Sequence, residues 1–318
     1  MICGSLCLSV QNSSEKKPIY AIAGPTASGK TELGVALALH VGGEVINCDS
    51  VQVYQGIQIA TAKPTDEEKR GVKHHLIDYV SPDVDYTAAD WAADTALKIA
   101  EIEGRGNIAI LVGGTGFYLR TLRQPLFDGP KTDEHLRERL RAIKDKKGAE
   151  YMHALLTKID PAAAAKLYTR DYVRVNRALE VYFQTGKTIS EQQPNRGEIP
   201  EFAERIRLFV LNPPRDILYD KINRRAENHF AAGLVEEVKL LLASGVKDTS
   251  NALGSHGYRR VCEFLRGERT LESAIEKTKQ DVRNYAKRQL TWFRREEGVK
   301  WLNGFGGEIE IEQLINSF

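Results

Sequence analysis

Residues 18–41 read PIYAIAGPTASGKTELGVALALHV and combine three patterns in succession. The apolar run Pro18–Ala23 is typical of a buried strand, and apolar residues recur at helical spacing after Thr31. Between them, GPTASGKT matches the motif G-x-x-x-x-G-K-[ST], in which glycines allow successive backbone N–H groups to wrap around a phosphate. The stretch therefore predicts a strand, a phosphate-binding loop and a helix, in that order.

The predicted loop carries both charge and metal-binding capacity. Lys30 is expected to supply a point charge and Thr31 a hydroxyl for Mg²⁺, while the following helix adds its N-terminal dipole. An ordinary glycine-rich turn is the structural alternative. The motif predicts a bound phosphate or diphosphate and does not by itself predict ATP. The predicted phosphate-binding residues are Gly24, Pro25, Thr26, Ala27, Ser28, Gly29, Lys30 and Thr31.

Strand and helix patterns continue along much of the chain. The segments Glu44–Cys48, Asn107–Val112 and Arg205–Leu211 have the apolar character of buried strands. Thr87 is expected to cap a helix from Ala88 to about Glu103, with an acidic residue three positions after the cap. Strands that alternate with helices predict an α/β fold in which a parallel, P-loop NTPase-like sheet is flanked by helices.

A helical block interrupts this alternation. About residues 124–200 show helical periodicity and no convincing strand before the α/β pattern resumes. We therefore predict a helical insertion domain at 124–200 within a core formed by 18–123 and 201–318. Residues 1–17 are expected to form a flexible extension, since their short apolar run lacks the flanks of a signal peptide. A chain of 318 residues is long enough for about two domains.

Composition narrows the class of protein. The formal net charge is +2 and 42% of residues are apolar, so any nucleic-acid surface must be a local patch on a globular protein. Four cysteines without a C-x-x-C pair do not make a disulfide framework, which favours a reduced, cytoplasmic protein. No window approaches 18 consecutive apolar residues, so we expect no membrane span. We also expect the protein to be a monomer.

Asp49 is the candidate reactive carboxylate. The strand ending at Gly113 carries no acid that could serve as a Walker-B metal ligand, whereas Asp49 directly follows Glu44–Cys48. A carboxylate at the carboxyl edge of a parallel sheet faces the ligand crevice, where it can hold a metal, act as a base or cap a turn. The residues leave these roles open. The pair His74-His75 predicts a metal only if other ligands converge on it.

Residues 282–295 read VRNYAKRQLTWFRR and hold five basic residues without an acid. Basic side chains neutralise RNA phosphates, and the interleaved aromatic side chains can stack on bases. The alternative is a solvated basic face above a stripe of core aromatics.

Five motifs together carry a resemblance to a known family. GPTASGKT, DSVQVY…TAKP, GGTGFYL, RVNRALEVYFQTGKTIS and GYRR…YAKRQLTWFRR occur in the order found in bacterial-type tRNA dimethylallyltransferases, from about residue 18 to residue 303. The resemblance implies transfer of a dimethylallyl group from its diphosphate to N6 of the adenine next to the anticodon, at position 37. It also implies that the phosphate loop holds the donor diphosphate with Mg²⁺, which accounts for the absent Walker-B acid.

The resemblance implies a role for particular residues. Asp49 resembles the general base, Lys30 and Thr115 belong to the catalytic set, and Arg224 is a candidate second cation for the diphosphate. Thr31 is the implied metal ligand. The anticodon stem-loop is expected to contact Asp49, Ser50, Val51, Gln52, Thr115, Arg137, Val173, Arg174, Val175, Asn176, Arg177, Gly257, Tyr258, Arg259, Arg283, Lys287 and Arg288.

Two departures and two alternatives accompany this interpretation. Ala60 stands where the family usually has glycine, and Gly254-Ser255-His256 is unlike the commoner apolar version.

A small-molecule P-loop kinase shares the loop and the acid after the second strand, but it needs no basic helix and would turn over ATP without tRNA. A non-enzymatic RNA-binding protein with a structural nucleotide would bind tRNA without depending on Asp49.

Overall fold

A computed structural model describes residues 16–316, so nearly all of the predicted extension at 1–17 lies outside the described residues. The predicted α/β class is confirmed by a six-stranded sheet whose strand pairs are all parallel, in the order β3-β2-β4-β1-β5-β6. The strands are β1 (Ile19–Ala23), β2 (Gly43–Asn47), β3 (His74–His75), β4 (Ile108–Gly113), β5 (Ile206–Leu211) and β6 (Val299–Leu302).

Thirteen α-helices are present in the described part of the chain. They are α1 (Lys30–Val41), α2 (Asp66–Lys69), α3 (Ala88–Gly104), α4 (Gly116–Arg123), α5 (Glu134–Ile159), α6 (Pro161–Ala164), α7 (Tyr172–Thr185), α8 (Ile189–Gln192), α9 (Arg215–Ala231), α10 (Leu234–Ala243), α11 (His256–Leu265), α12 (Leu271–Phe293) and α13 (Glu308–Ile315). No helix in residues 16–316 is long and apolar enough to span a membrane.

The centre of the sheet explains why these apolar runs became strands. Tyr20 of β1 lies between Ile110 of β4 and Arg207 of β5, and every residue of β1 is buried. Strands of a parallel sheet are covered on both faces, so they have continuous apolar runs without alternation. Helix α1 packs its apolar residues Leu33 and Leu37 into the same core.

Helix α3 begins as the sequence predicts. The hydroxyl of Thr87 accepts a hydrogen bond from the backbone N–H of Asp90 at 3.2 Å, and the Asp90 carboxylate accepts one from the Thr87 N–H at 2.9 Å. This reciprocal capping box satisfies two donors that the first helical turn leaves unpaired. The next residue, Trp91, is fully buried and stacks on Tyr118.

The chain divides into two compact units. One contains Arg120–Glu201, and the other contains the residues up to Leu119 together with those from Phe202 onward. The sequence placed the corresponding helical block at about 124–200. Arg120–Glu201 contains helices α5 to α8 and has an apolar core of its own, which includes Leu140, Met152 and Leu179.

Candidate active site

Two adjoining cavities lie in the sheet-containing unit. One, of about 640 Å³, is lined mainly by polar and charged side chains and by the loop Thr26–Thr31. The other, of about 530 Å³, has a wall rich in apolar and aromatic side chains, including Val51, Phe117 and Ile222. The residues that line both are Thr26, Ala27, Asp49, Thr61, Ala62, Arg225 and His229. A charged compartment and an apolar one therefore meet beside Asp49.

The predicted phosphate loop connects β1 to α1 with an unusual backbone. Ala27 and Gly29 both have positive φ values, of 63° and 86°. A Cβ atom at Gly29 would lie 1.9 Å from the carbonyl oxygen of Phe305, so only glycine fits this position. The Ser28 side chain is fully buried, and its hydroxyl has no hydrogen-bond partner among the described residues.

Lys30 folds back over the loop. Its ammonium group donates a hydrogen bond to the carbonyl oxygen of Pro25 at 2.6 Å. Burial lowers the pKa of Lys30 to about 8, and the nearby Asp49 carboxylate partly offsets that effect. A group with this pKa remains mostly protonated at neutral pH, and an anion bound in the loop would raise its pKa. The lysine is therefore placed to neutralise a phosphate.

Asp49 follows β2, as the sequence predicts. Its Oδ1 accepts hydrogen bonds from the backbone N–H groups of Val51 at 2.8 Å and Gln52 at 3.3 Å. The turn-capping role considered from the sequence is therefore real, but it uses only one carboxylate oxygen. No donor in residues 16–316 bonds to Oδ2, and the carboxylate lines both cavities. One side chain both holds the turn and offers a proton acceptor.

Thr115 lies beside Asp49 because the loops after β2 and β4 cross closely. The Thr115 hydroxyl accepts a hydrogen bond from the Ser50 N–H at 3.2 Å, and the Thr115 N–H donates to the carbonyl oxygen of Cys48 at 3.2 Å. A Cβ atom at Gly113 would lie 2.0 Å from that same oxygen. Predicted site residues that are far apart in sequence are thus brought to one edge of the sheet.

The half-buried Gln52 stabilises the backbone near the same edge of the sheet. Its amide donates hydrogen bonds to the carbonyl oxygens of Thr61 and Ala62, both at 3.0 Å. These contacts fix the segment in which Ala60 lies. The Gln52 side chain is therefore a support of the cavity wall as well as a lining residue.

For the role of a second cation, the structure favours the residue next to the predicted Arg224. Arg224 is exposed and lines neither cavity, whereas its neighbour Arg225 lines both. A helix turns once every 3.6 residues, so consecutive side chains point in directions about 100° apart. The buried stripe of α9, formed by Leu218, Ile222 and Ala226, indicates which side faces inward. That periodicity was the signal that could have selected Arg225.

His229 is a further cavity residue that the sequence analysis did not identify. It lies one helical turn after Arg225 and lines both cavities. Burial, and then the positive charge of Arg225, lower the pKa of His229 to about 4. The imidazole is therefore neutral at pH 7.

The predicted RNA contacts in Arg120–Glu201 divide into exposed and buried residues. Val173 is 77% exposed and Arg174 is also exposed, but Val175 and Asn176 are buried. The buried side chains of Val175 and Asn176 cannot reach RNA, so these two residues are excluded from the predicted side-chain contacts. Arg177 is half-buried and donates a hydrogen bond to the carbonyl oxygen of Pro130 at 2.8 Å. Arg137 is held by the buried Glu180 at 3.0 Å.

The predicted contacts on α11 and α12 divide in the same way. Tyr258 is fully buried and donates a hydrogen bond to Glu237, so its side chain supports the fold and is closed to RNA. Arg259, Lys287 and Arg288 are exposed. Gly257 is buried against Ala60, with which a Cβ atom would come within 3.1 Å. Arg283 is half-buried and donates a hydrogen bond to Asn223.

Both departures from the family pattern lie on one wall. Ala60 and the segment 254–256 line the apolar cavity together with Gly257. The close contact between Ala60 and Gly257 shows that the methyl group at position 60 is accommodated by the absence of one at position 257.

The structure also bears on metal binding. Among the described residues no group of three His, Cys, Asp or Glu side chains converges as a metal site. His75 instead contacts Glu44 at 2.6 Å, and His74 contacts the carbonyl oxygen of Val72 at 2.9 Å. Mg²⁺ commonly takes few protein ligands and completes its shell with phosphate oxygens and water. The Thr31 hydroxyl in the wall of the polar cavity fits that arrangement.

Comparisons with known proteins agree with one another. A sequence model of the family described as IPP transferase matches residues 52–296. The chain is 45% identical to a tRNA dimethylallyltransferase of Koribacter versatilis, over 92% of this chain and 95% of that protein. It is also 45% identical to a tRNA dimethylallyltransferase of Geobacter metallireducens, over 96% of this chain and 98% of that protein.

Solved structures give the same result. A full-length tRNA isopentenylpyrophosphate transferase from Bacillus halodurans is 39% identical and superposes with a TM-score of 0.69, covering 95% of each chain. A eukaryotic dimethylallyltransferase acting on tRNA is 29% identical with a TM-score of 0.72, covering 92% of this chain and 75% of that one.

Proposed function

The chain belongs to the IPP transferase family, and on that premise we propose that it transfers a dimethylallyl group from dimethylallyl diphosphate to N6 of adenine 37 in tRNA. The product would be N6-isopentenyladenosine. Family membership confirms the resemblance indicated by the motifs and identifies the chain as a transferase enzyme. It does not support the kinase alternative.

The observation that carries this proposal is the meeting of a charged and an apolar cavity at Asp49. A prenyl diphosphate has a charged head and an apolar tail, and the two cavities match these parts. Lys30 and Arg225 are placed to bind the diphosphate, and the apolar wall near Ile222 would receive the tail. Mg²⁺ bound at Thr31 would supply further positive charge against the leaving diphosphate.

The chain's own residues account for the proton and the leaving group. The exocyclic amine of adenine is a weak nucleophile because its lone pair is delocalised into the ring. Attack forms the bond between N6 and the allylic carbon, while the carbon–oxygen bond to the diphosphate breaks. Asp49 takes the N6 proton through the carboxylate oxygen that does not cap the turn. Cations at the polar cavity stabilise the negative charge that develops on the diphosphate.

The substrate base must reach this site from a folded RNA. A base stacked in the anticodon loop has to leave its stack before a protein can react with it. Exposed basic residues at Arg259, Lys287 and Arg288 support the proposal that the anticodon stem-loop binds here and extrudes the base. We further propose that the protein is a monomer and that it acts in the cytoplasm. The free, buried thiols of Cys48 and Cys262 support the reducing compartment.

The direct test is mass spectrometry of tRNA nucleosides after incubation with the protein, dimethylallyl diphosphate and Mg²⁺. We expect one adenosine per substrate tRNA to gain the mass of a dimethylallyl group, without any requirement for ATP. A strict ATP requirement, or phosphate transfer without tRNA, would overturn the proposal.

Asp49→Asn tests the proton acceptor. The amide keeps an oxygen that can cap the turn but cannot accept the N6 proton, so kcat should fall by roughly 10²–10⁴-fold. Affinity for tRNA should change much less, as a gel-shift titration will show. The exposed Asp83→Asn provides a charge-matched control with wild-type turnover. Near wild-type turnover by Asp49→Asn would exclude it as the base.

A further inference from the structure

One buried amide joins the two loops that form the site. Gln289 of α12 is 5% exposed. Its Oε1 accepts a hydrogen bond from the Thr26 N–H at 2.9 Å, and its Nε2 donates to the carbonyl oxygen of Gly114 at 2.9 Å. Because the first partner can only donate and the second can only accept, they determine which end of the amide is which.

The contact with the loop after β4 leaves no spare room. A Cβ atom at Gly114 would lie 2.1 Å from the Gln289 Nε2 and 3.2 Å from the carbonyl oxygen of Gly24. The next residue, Thr115, accepts the hydrogen bond from Ser50. A continuous set of contacts therefore runs from the phosphate loop through Gln289 to the turn that holds Asp49.

We propose that Gln289 is a positioning residue that sets the distance between the diphosphate-binding loop and the edge carrying Asp49 and Thr115. The inference rests on the proposed function, because it concerns the relative placement of the donor and the proton acceptor. Gln289 also lines the polar cavity. Reaction rates depend steeply on such placement, since a displacement of about 1 Å can cost 10²-fold.

The amide is chemically specific for this bridge. Methionine has a similar length but would leave a buried N–H and a buried carbonyl without partners. Glutamate would keep the hydrogen bond from Thr26, yet its second oxygen would face the Gly114 carbonyl oxygen. Once protonated, a glutamic acid can donate to that carbonyl, so it reproduces the amide pattern. Gln289→Glu is thus a version of the bridge that pH controls.

Several charged and titratable groups share the polar cavity with position 289. They are Lys30, Glu32, Asp49, Lys63, Glu68, His74, Lys221, Arg225 and His229. Each of them is also present in the wild-type protein. Dividing the variant's rate by the wild-type rate at every pH therefore removes the titrations that the two proteins share, and the remaining pH dependence comes from the introduced carboxyl group and its effect on these neighbours.

The experiment combines binding and kinetics on the full chain. For Gln289→Met we expect roughly tenfold weaker calorimetric binding of inorganic pyrophosphate with Mg²⁺, from the loss of two buried hydrogen bonds. Turnover should also fall, while gel-shift affinity for tRNA stays at the wild-type level. Gly114→Ala should reproduce the effect, because its methyl group displaces the amide. Gln280→Glu, exposed on the same helix, is the matched control.

The pH profile separates positioning from simple support of the fold. For Gln289→Glu, the rate relative to wild type should be low at pH 9 and rise as the pH falls to 6. Circular dichroism at each pH checks that the variants are folded. If the relative rate of Gln289→Glu is the same across this range, or if Gln289→Met binds pyrophosphate normally, the inference is wrong. If the wild-type protein neither binds pyrophosphate nor modifies tRNA, the proposed function itself fails.

Discussion

Arg225 and Arg224 provide a comparison between neighbouring residues of the same type. Arg225 lines both cavities and Arg224 is exposed. Arg225→Ala should therefore weaken calorimetric binding of pyrophosphate with Mg²⁺ by one to two orders of magnitude, since a charge-assisted contact to phosphate is lost. Arg224→Ala should leave it unchanged. Equal effects of the two substitutions would mean that the donor does not bind in the polar cavity.

The site residues illustrate what a sequence motif can and cannot supply. The motif GPTASGKT and the position of Asp49 after a strand were sufficient to predict that both lie at one edge of the sheet, because parallel strands end together. Arg225 and His229 lie on a helix without a local motif, and their orientation depends on which face of α9 packs inward. Gln289 depends on two backbone partners that are distant in sequence, so no local pattern reveals it.

At the scale of an element, β2 carries a buried carboxylate at the centre of a polar network. Glu44 is 3% exposed and accepts hydrogen bonds from Arg105 at 2.8 Å and Asn107 at 2.7 Å, with His75 nearby. The hydrogen bond from Arg105 is the largest cause that lowers the pKa of Glu44 from 4.5 to about 2. The folded state thus favours the carboxylate, so its contribution to stability is present above pH 4.5 and is lost towards pH 2.

Glu44→Gln should lower the free energy of unfolding at pH 7 by about 2 kcal/mol, because the buried carboxylate loses its charge-assisted hydrogen bonds to the partly exposed Arg105 guanidinium. The loss should shrink as the pH falls below 4.5, because the unfolded wild-type chain then binds a proton at Glu44 that the folded protein does not bind until near pH 2. Urea unfolding at pH 7 and pH 3 measures both effects. Glu101→Gln, on the exposed side of α3, is the control. A loss of equal size at the two pH values would contradict an electrostatic origin.

Helix α12 offers a second prediction at this scale. Lys287 and Arg288 are exposed, so each alanine substitution should weaken tRNA binding and reduce the slope of log K against log salt by roughly 0.7–0.9. Arg283→Ala should have a smaller effect, because this side chain bonds to Asn223. Lys279→Ala is the control, since Lys279 is paired with Glu227 and Glu276 at 2.6 Å. Unchanged slopes for both exposed residues would mean that the basic face of α12 is solvated and does not bind RNA phosphates.

The elements also differ in how far the sequence predicted them. Strands β1, β2, β4 and β5 have apolar runs long enough to be recognised, and all four were predicted to within a residue at each end. Strands β3 and β6 were missed. β3 has only His74–His75, and two residues of β6 are exposed, so neither shows the continuous apolar pattern of a buried strand. Their pairing is set by the sheet edges onto which they add.

At the scale of the whole molecule, the compact unit Arg120–Glu201 can be tested as a separate functional part. Its apolar core is built from its own helices, so replacing residues 124–200 with a short Gly/Ser linker should leave a folded sheet. The shortened protein should bind pyrophosphate with Mg²⁺ as the full chain does. It should lose tRNA affinity and turnover together, as calorimetry and gel shifts will show. Full tRNA affinity in the folded, shortened protein would locate recognition in α11 and α12 alone.

The close approach of Gly29 to the Phe305 carbonyl has a consequence for synthesis on the ribosome. The phosphate loop emerges early, yet β5, which pairs with β1, and the segment at Phe305 emerge only after the helical unit has been made. At roughly 5–20 residues per second, this delay is on the order of tens of seconds. During that time β1 has a free edge where β5 will pair. The phosphate loop of the nascent chain therefore gains its contact with Phe305 only after that residue has been synthesised, which gives the early segments a long interval in which they need protection from aggregation.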